Sequence, residues 1–332
     1  MIDQYGRNID YLRISVTDRC NLRCVYCMPE EGVQLINHNE ILTYDEIIRT
    51  CRIFADLGVS KIKLTGGEPL VRKDLQTLLK DIKSIEGIKE VTLTTNGVLL
   101  KEQIAVLAKA GLNAVNISLD TLSKEQYACV TRRDKLDDAL EGMYEALKYP
   151  NVRVKVNCVI IPGQNDNEWV RIAAISKDFP VDVRFIEMMP IGIGKSNPKG
   201  TQELVFDKLE KEYGKGEFLD GKFGNGPAVY AKFPNFTGKI GFISAISHEF
   251  CSDCNRVRLT ADGFLKLCLQ YANGCDLKAL LRSNKTDEEI SSIIRETIYN
   301  KPRCHQFVNS DNEGKREGNG CLEKRRMSSI GG

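Results

Sequence analysis

Cys20, Cys24 and Cys27 stand within the eight-residue stretch CNLRCVYC. Thiolates spaced this closely are metal ligands, and cysteine is the usual ligand of iron–sulfur clusters. A cubane cluster has four irons, so three cysteines leave one iron open. An open position is what a catalytic metal centre keeps and a structural one closes. On spacing alone a second reading stands beside it: a structural zinc completed by a distant ligand, for which His38 is the nearest histidine. A second trio, Cys251, Cys254 and Cys268, lies near the C-terminus. There a zinc completed by His248 or Cys275 competes evenly with a cluster.

The elements that must hold these trios follow a repeated rhythm. Strand-like runs occur at 11–16 (YLRISV), 61–65, 90–95, 114–119, 152–160 and 181–188. Helical patterns lie between them, at 43–58, 74–85, 101–111 and 136–149. In the first of these, Thr43 and Glu46 make a capping-box pattern and Gly58 suits the C-terminal end. Alternating strand and helix implies a parallel sheet with helices outside. Six units fall short of the eight that close a standard barrel, so the expected α/β fold is an open, partial TIM-like barrel.

After residue 213 the rhythm changes. Residues 214–227 are Gly-rich and polar and read as a linker. Short β-type pieces follow, with Ala261-Asp262-Gly263 as a hairpin turn and helices expected near 276–283 and 286–300. The expected division is a barrel at 1–213, a linker at 214–227 and a smaller α+β domain at 228–308. A flexible tail at 309–332 ends in Gly-Gly.

The chain has 332 residues, a net charge of +2 and 28% charged residues, too balanced for a dedicated nucleic-acid binder. It has no apolar run long enough to span a bilayer and no signal-peptide core, which points to the cytoplasm. In such a reducing compartment its 12 cysteines suit metal binding or chemistry rather than disulfides. Cys51 and Cys158 fall in apolar elements and read as core, while Cys129, Cys275, Cys304 and Cys321 suggest no role.

The Cys-x3-Cys-x2-Cys spacing, with Tyr26 before the last cysteine and after the first strand, resembles the radical S-adenosylmethionine (SAM) enzymes. Thr65-Gly66-Gly67-Glu68-Pro69 after the second strand agrees. The resemblance implies a 4Fe–4S cluster on Cys20, Cys24 and Cys27, whose open iron binds SAM and releases a 5′-deoxyadenosyl radical. It puts Tyr26, Gly67, Ser118 and Met189 around SAM, with the glycines baring the backbone to the methionyl amine.

Four further stretches narrow the resemblance. They are EFCSDCNRVRLTADGFLKLCL (249–269), TRRD (131–134), RFIEMMPIG (184–192) and Ile330-Gly331-Gly332. Together they resemble the GTP 3′,8-cyclase branch of molybdenum cofactor biosynthesis. That branch implies a lyase with a second 4Fe–4S cluster on Cys251, Cys254 and Cys268, facing the purine. It implies a GTP site of Arg13, Lys63, Thr94, Lys155, Arg184, Arg256, Val257 and Arg258, where Lys63 replaces the branch's arginine. Arginine forks suit a triphosphate, and Arg256 and Arg258 alternate so as to share one strand face. Gly331 and Gly332 would enter the catalytic site. The expected partners are GTP, an electron-donor protein, the cyclic pyranopterin monophosphate synthase downstream and a second copy as a homodimer. No membrane or nucleic acid is expected. The rival readings are a radical SAM peptide or protein modifier with an auxiliary cluster, and a zinc-stapled nucleic-acid-binding protein.

Overall fold

The computed structural model describes residues 1–194, 200–221, 223–307, 322–323, 325 and 327–331. Strands β1 (Tyr11–Ser15), β2 (Lys61–Thr65), β3 (Glu90–Thr95), β4 (Ala114–Ser118), β5 (Arg153–Ile160) and β6 (Asp182–Glu187) run parallel, side by side in chain order. Helices α1 (Tyr44–Asp56), α2 (Leu75–Lys83), α3 (Leu100–Lys109), α4 (Lys124–Thr131), α5 (Leu136–Ala146) and α6 (Trp169–Asp178) pack outside. The strands are buried along nearly their whole length, as covering on both faces requires. This is the expected open barrel of six strand–helix units.

The predicted start of α1 holds. The Thr43 hydroxyl accepts the Glu46 N–H at 3.2 Å, and the Glu46 carboxylate accepts the Thr43 N–H at 2.8 Å. Gly58, at φ +90, ends the turn. Helix α4 starts on Ser123, whose hydroxyl accepts the Gln126 N–H at 3.3 Å, whereas α6 and α7 (Thr201–Tyr213) begin without a side-chain cap.

The C-terminal strands continue the same sheet. They are β7 (Glu217–Leu219), β8 (Val229–Lys232), β9 (Ile240–Ile243), β10 (Arg256–Leu259), β11 (Phe264–Lys266) and β12 (Gly274–Asp276). β9 adds parallel to β6, and β8 and β7 extend that edge antiparallel. β10 adds parallel to β1, and the β11 and β12 hairpins extend the opposite edge. The order is β12-β11-β10-β1-β2-β3-β4-β5-β6-β9-β8-β7. β7 lies inside the stretch expected as a linker, where Phe218 stacks on Phe206 at 4.8 Å. Helices α8 (Leu277–Leu281) and α9 (Asp287–Tyr299) close the β12 side, and the short α10 (Met327–Ile330) returns to the barrel.

One apolar core runs through both halves, from Phe54 and Trp169 to Leu277 and Ile294. A small second cluster joins Ile191, Ile246, Phe307 and Ile330. Arg7 ties the two ends of the chain. It pairs with buried Asp3 at 2.6 Å and donates to the carbonyls of Cys251, Pro302 and Arg303 at 2.7–2.9 Å. Among the described residues no helix is long and apolar enough to cross a membrane.

Candidate active site

A cavity of about 360 Å³ opens on the inner face of the sheet, and all six cysteines of the two trios line it. The first trio sits on the loop leaving β1, beside the carboxyl ends of β2 and β3, where barrel sites are built. Backbone bonds hold that loop to the turn after β2. The Gly67 N–H donates to Thr17 O and the Glu68 N–H to Arg19 O, each at 2.7 Å. A Cβ on Gly67 would lie 2.3 Å from Arg19 O, and one on Gly66 would lie 2.5 Å from Thr17 O. The glycines are therefore required by loop-on-loop contact within the protein.

Glu68 is buried and joins the β2 turn to the β3 turn. It accepts from Leu70 N, Thr95 Oγ1 and Asn96 N at 3.0, 2.7 and 2.7 Å. Burial pushes its carboxyl up to about 7 against the pull of these donors. Tyr26 donates to Asp120 at 2.7 Å, and burial pushes the Asp120 carboxyl up to about 6.

The thiols of the first trio are reduced and partly buried. Burial pushes Cys20 up to about 11 and Cys24 well above the ordinary thiol. The Leu22 N–H donates to Cys20 Sγ at 3.4 Å, the kind of contact that tunes cluster sulfurs. His38, the zinc candidate, stands exposed on a short turn at 38–40. Three cysteines within eight residues are a donor set suited to an iron–sulfur cluster. Tyr26, Gly67, Ser118 and Met189 all stand on the cavity wall.

The second trio lies across the cavity. Burial pushes Cys251 up to about 11, and the His305 N–H donates to its sulfur at 3.4 Å. Burial also works to raise Cys254, but Lys301 and Arg256 outweigh it and bring that thiol down to about 6. The zinc candidates are engaged elsewhere. His248 pairs with Glu203 at 3.0 Å, and Cys275 sits on β12 opposite Leu265.

Between the trios the wall is cationic. Arg13, Lys63, Lys155, Arg184, Arg256 and Arg258 all line it, with Thr94. Arg258, Arg13 and Lys63 are register partners on three adjacent strands, so they form a row with steps of about 4.8 Å. Burial lowers Arg13 to about 10, and burial with Arg13 and Arg184 brings Lys63 well below the ordinary lysine. Lys155 is already paired with Asp182 at 3.0 Å and donates to Tyr230 Oη at 3.0 Å. Val257 is a correction. Its side chain is buried in the apolar core opposite Leu12, because strand alternation turns it away from Arg256 and Arg258.

The end of the chain enters this wall. Gly331 O accepts from Arg258 Nη1 at 2.6 Å and Arg13 Nη2 at 3.4 Å. Gly331 has φ +72, and a Cβ there would lie 2.9 Å from Thr65 Cγ2, so glycine is needed twice over. Gly332 and Cys321 lie outside the described residues.

Residues 14–174 match the Radical SAM superfamily, and residues 181–307 match Molybdenum Cofactor Synthesis C. A GTP 3′,8-cyclase of Clostridium perfringens (strain 13 / Type A) is 44% identical over 334 residues, and 100% of each chain is covered. One of Pelotomaculum thermopropionicum is 46% identical over 335 residues, again with 100% of both covered. The chain belongs to the GTP 3′,8-cyclase family. Radical SAM membership brings it a 4Fe–4S cluster and SAM. Among solved structures, Streptococcus suis SuiB has a TM-score of 0.61 at 16% identity, covering 89% of this chain and 66% of its own. Native anSMEcpe with bound AdoMet has a TM-score of 0.53 at 15% identity, covering 90% and 82%. These two share the fold.

Sequence reasoning missed several residues of this GTP 3′,8-cyclase family site. Glu187 is buried and accepts from Ile246 N and Ser247 N at 2.9 and 3.0 Å, fixing the loop before the second trio. Asn96, Asp120 and His305 also shape the cavity or its loops. Glu187 and Asp120 were open to notice as acids at the ends of apolar strands.

Proposed function

We propose that this chain is a radical SAM lyase that converts GTP to (8S)-3′,8-cyclo-7,8-dihydro-GTP, in molybdenum cofactor biosynthesis. The observation that carries this reading is the cationic wall lying between two thiol trios in one cavity. Gathering this many cations on one buried wall is costly, and a triphosphate is a ligand that compensates several of them at once.

In this reading Cys20, Cys24 and Cys27 hold the 4Fe–4S cluster, and Tyr26, Gly67, Ser118 and Met189 surround SAM. Cluster and SAM, when bound, would supply a 5′-deoxyadenosyl radical to take hydrogen from ribose C3′; C3′ would then bond to guanine C8, and one electron, expected from the second cluster, with one proton would complete the dihydro product. Arg13, Lys63, Arg256 and Arg258 hold the triphosphate, with Thr94, Lys155 and Arg184 beside it. Cys251, Cys254 and Cys268 hold a second 4Fe–4S cluster toward the base. Val257 contributes through its backbone. Gly331 and Gly332 narrow the cavity and exclude water from the radical. The domain division at 213 and 228, the cytoplasmic location and a homodimer belong to the same reading. So do an electron-donor protein and the downstream cyclic pyranopterin monophosphate synthase.

The test is anaerobic. Reconstituted chain, SAM and dithionite are incubated with and without GTP, and 5′-deoxyadenosine is followed by chromatography. GTP-stimulated 5′-deoxyadenosine with loss of GTP is expected. Formation that ignores GTP would favour a peptide or protein modifier, and a colourless zinc protein would favour the nucleic-acid reading.

A further inference from the structure

Lys266 on β11 is wholly buried. Its register partner on β10 is Arg258, a second cation, and Arg325 lies near as a third. Its Nζ donates to Tyr271 O at 2.7 Å and to the Glu323 carboxylate. Among the described residues Glu323 is its one acidic partner. That acid is not part of the C-terminal sheet extension. It belongs to the segment that carries Gly331 into the cavity.

Other contacts seat the segment at the same point. The Glu323 N–H donates to Gln270 O at 2.7 Å, and Leu322 bridges Tyr271. The Arg325 N–H donates to Glu323 Oε1 at 2.8 Å, and its guanidinium lies 4.7 Å from the Phe264 ring centroid. Helix α10 follows directly. Ile330 is buried against the Ile191, Ile246 and Phe307 cluster, and Gly331 O meets Arg258 and Arg13.

We propose that the Lys266–Glu323 pair is the latch that holds the C-terminal segment in the cavity. Lys266 is thus a positioning residue, acting through the tail on the two arginines of the cationic row. A buried ammonium that loses its carboxylate partner is heavily penalised, so the segment cannot leave without exposing that penalty. The apolar seat of Ile330 alone imposes no such toll on departure. Lys266 is the last residue of β11 and stands two residues before Cys268, so the anchor of the tail lies next to the second trio in the chain. The consequence for turnover rests on the cyclase reading; the latch itself does not.

The experiment uses full-length reconstituted chain under anaerobic conditions: wild type, Glu323→Gln, Lys266→Met and the double variant. Hydrogen–deuterium exchange is read over residues 327–331 and over β1 to β6, and turnover is measured with GTP. Glu323→Gln should raise exchange at 327–331 by at least about tenfold and leave β1 to β6 unchanged. It should lower kcat more than it raises KM for GTP. The double variant should exchange no faster than Glu323→Gln, because paired residues are not additive. Wild-type protection at 327–331 in Glu323→Gln would overturn the latch. If Lys266→Met does not fold, Glu323→Gln decides alone, since it changes only the tail. If even the wild type ignores GTP, the cyclase reading fails while the exchange result still decides the latch.

Discussion

The two cysteine trios face one cavity but are held in different ways. The first spans eight residues of one loop and is fixed locally, by backbone bonds to the neighbouring turn at Gly67 and Glu68. The second spans 251–268 and is fixed by distant parts of the chain: Arg7 on Cys251 O, His305 on Cys251 Sγ and Glu187 on the preceding loop. Their charge environments differ as well. Burial raises Cys20 and Cys24, and Cys251 too, whereas at Cys254 the cations Lys301 and Arg256 together outweigh burial. A local site can be recognised from spacing; a site assembled across the chain depends on contacts that spacing does not contain.

The largest effect should come from removing a thiol on each side. Cys24→Ala should abolish 5′-deoxyadenosine formation altogether. Cys268→Ala should retain some of it while losing the cyclised product. Chromatography of both products checks this, and equal loss of 5′-deoxyadenosine in the two variants would erase the proposed division of labour.

Arg7→Ala comes next. It strips the partner from buried Asp3 and the donor from the Cys251 carbonyl. A stability loss of about 3–5 kcal/mol is expected in denaturant titration. Iron content should fall toward that of one cluster, because only the second trio leans on Arg7. An unchanged iron count would show that trio to be self-supporting.

Gly67→Ala tests the local side. The added methyl meets Arg19 O at 2.3 Å, and backbone must move. About 1–3 kcal/mol of destabilisation is expected, with loss of iron from the first trio and not the second.

The smallest effect is a pH profile from the wall between the trios. Lys63 is brought well below the ordinary lysine by burial and by neighbouring cations. Tyr11 and Arg13 on β1, Lys155 on β5, Arg184 on β6, and Arg256 and Arg258 on β10 share this wall with it, and Asp182 pairs with Lys155. Since its pKa is lowered in the empty site, the ammonium form is disfavoured there. A bound triphosphate favours it, so binding takes up a proton and affinity falls as pH rises between the free and bound pKa values. Calorimetry of GTP binding should show a slope with pH in the wild type and a flatter one in Lys63→Arg, whose guanidinium stays charged.

Much of this was open to reading in the residues. The parallel strands announced themselves as apolar runs, and Thr43 with Glu46 marked the start of α1. The hairpin at Ala261-Asp262-Gly263 joins β10 to β11 as expected. The first trio was legible because its ligands are neighbours in sequence. What was hidden depends on long-range register. The pairing of β10 with β1 and of β9 with β6 carries no local signature, so the C-terminal part did not read as an extension of the barrel sheet. Val257 was assigned with its neighbours by resemblance, although period-two alternation already turned it to the other face. The glycines of the β2 turn were read for a ligand, while the nearest atoms are the protein's own carbonyls at 17–19. Lys266 gave no sign of its partner, which arrives from beyond the last strand.

The pairing of β10 with β1 also orders events in time. In synthesis β1 is made well before β10, the strand that covers its free edge. Until then the edge at 11–14 offers unpaired backbone groups to any neighbouring chain. The nascent protein must therefore remain shielded or unfolded along that edge for most of its time on the ribosome. The first trio lies just beyond the same strand, so its metal chemistry is best completed after release, once both halves have met.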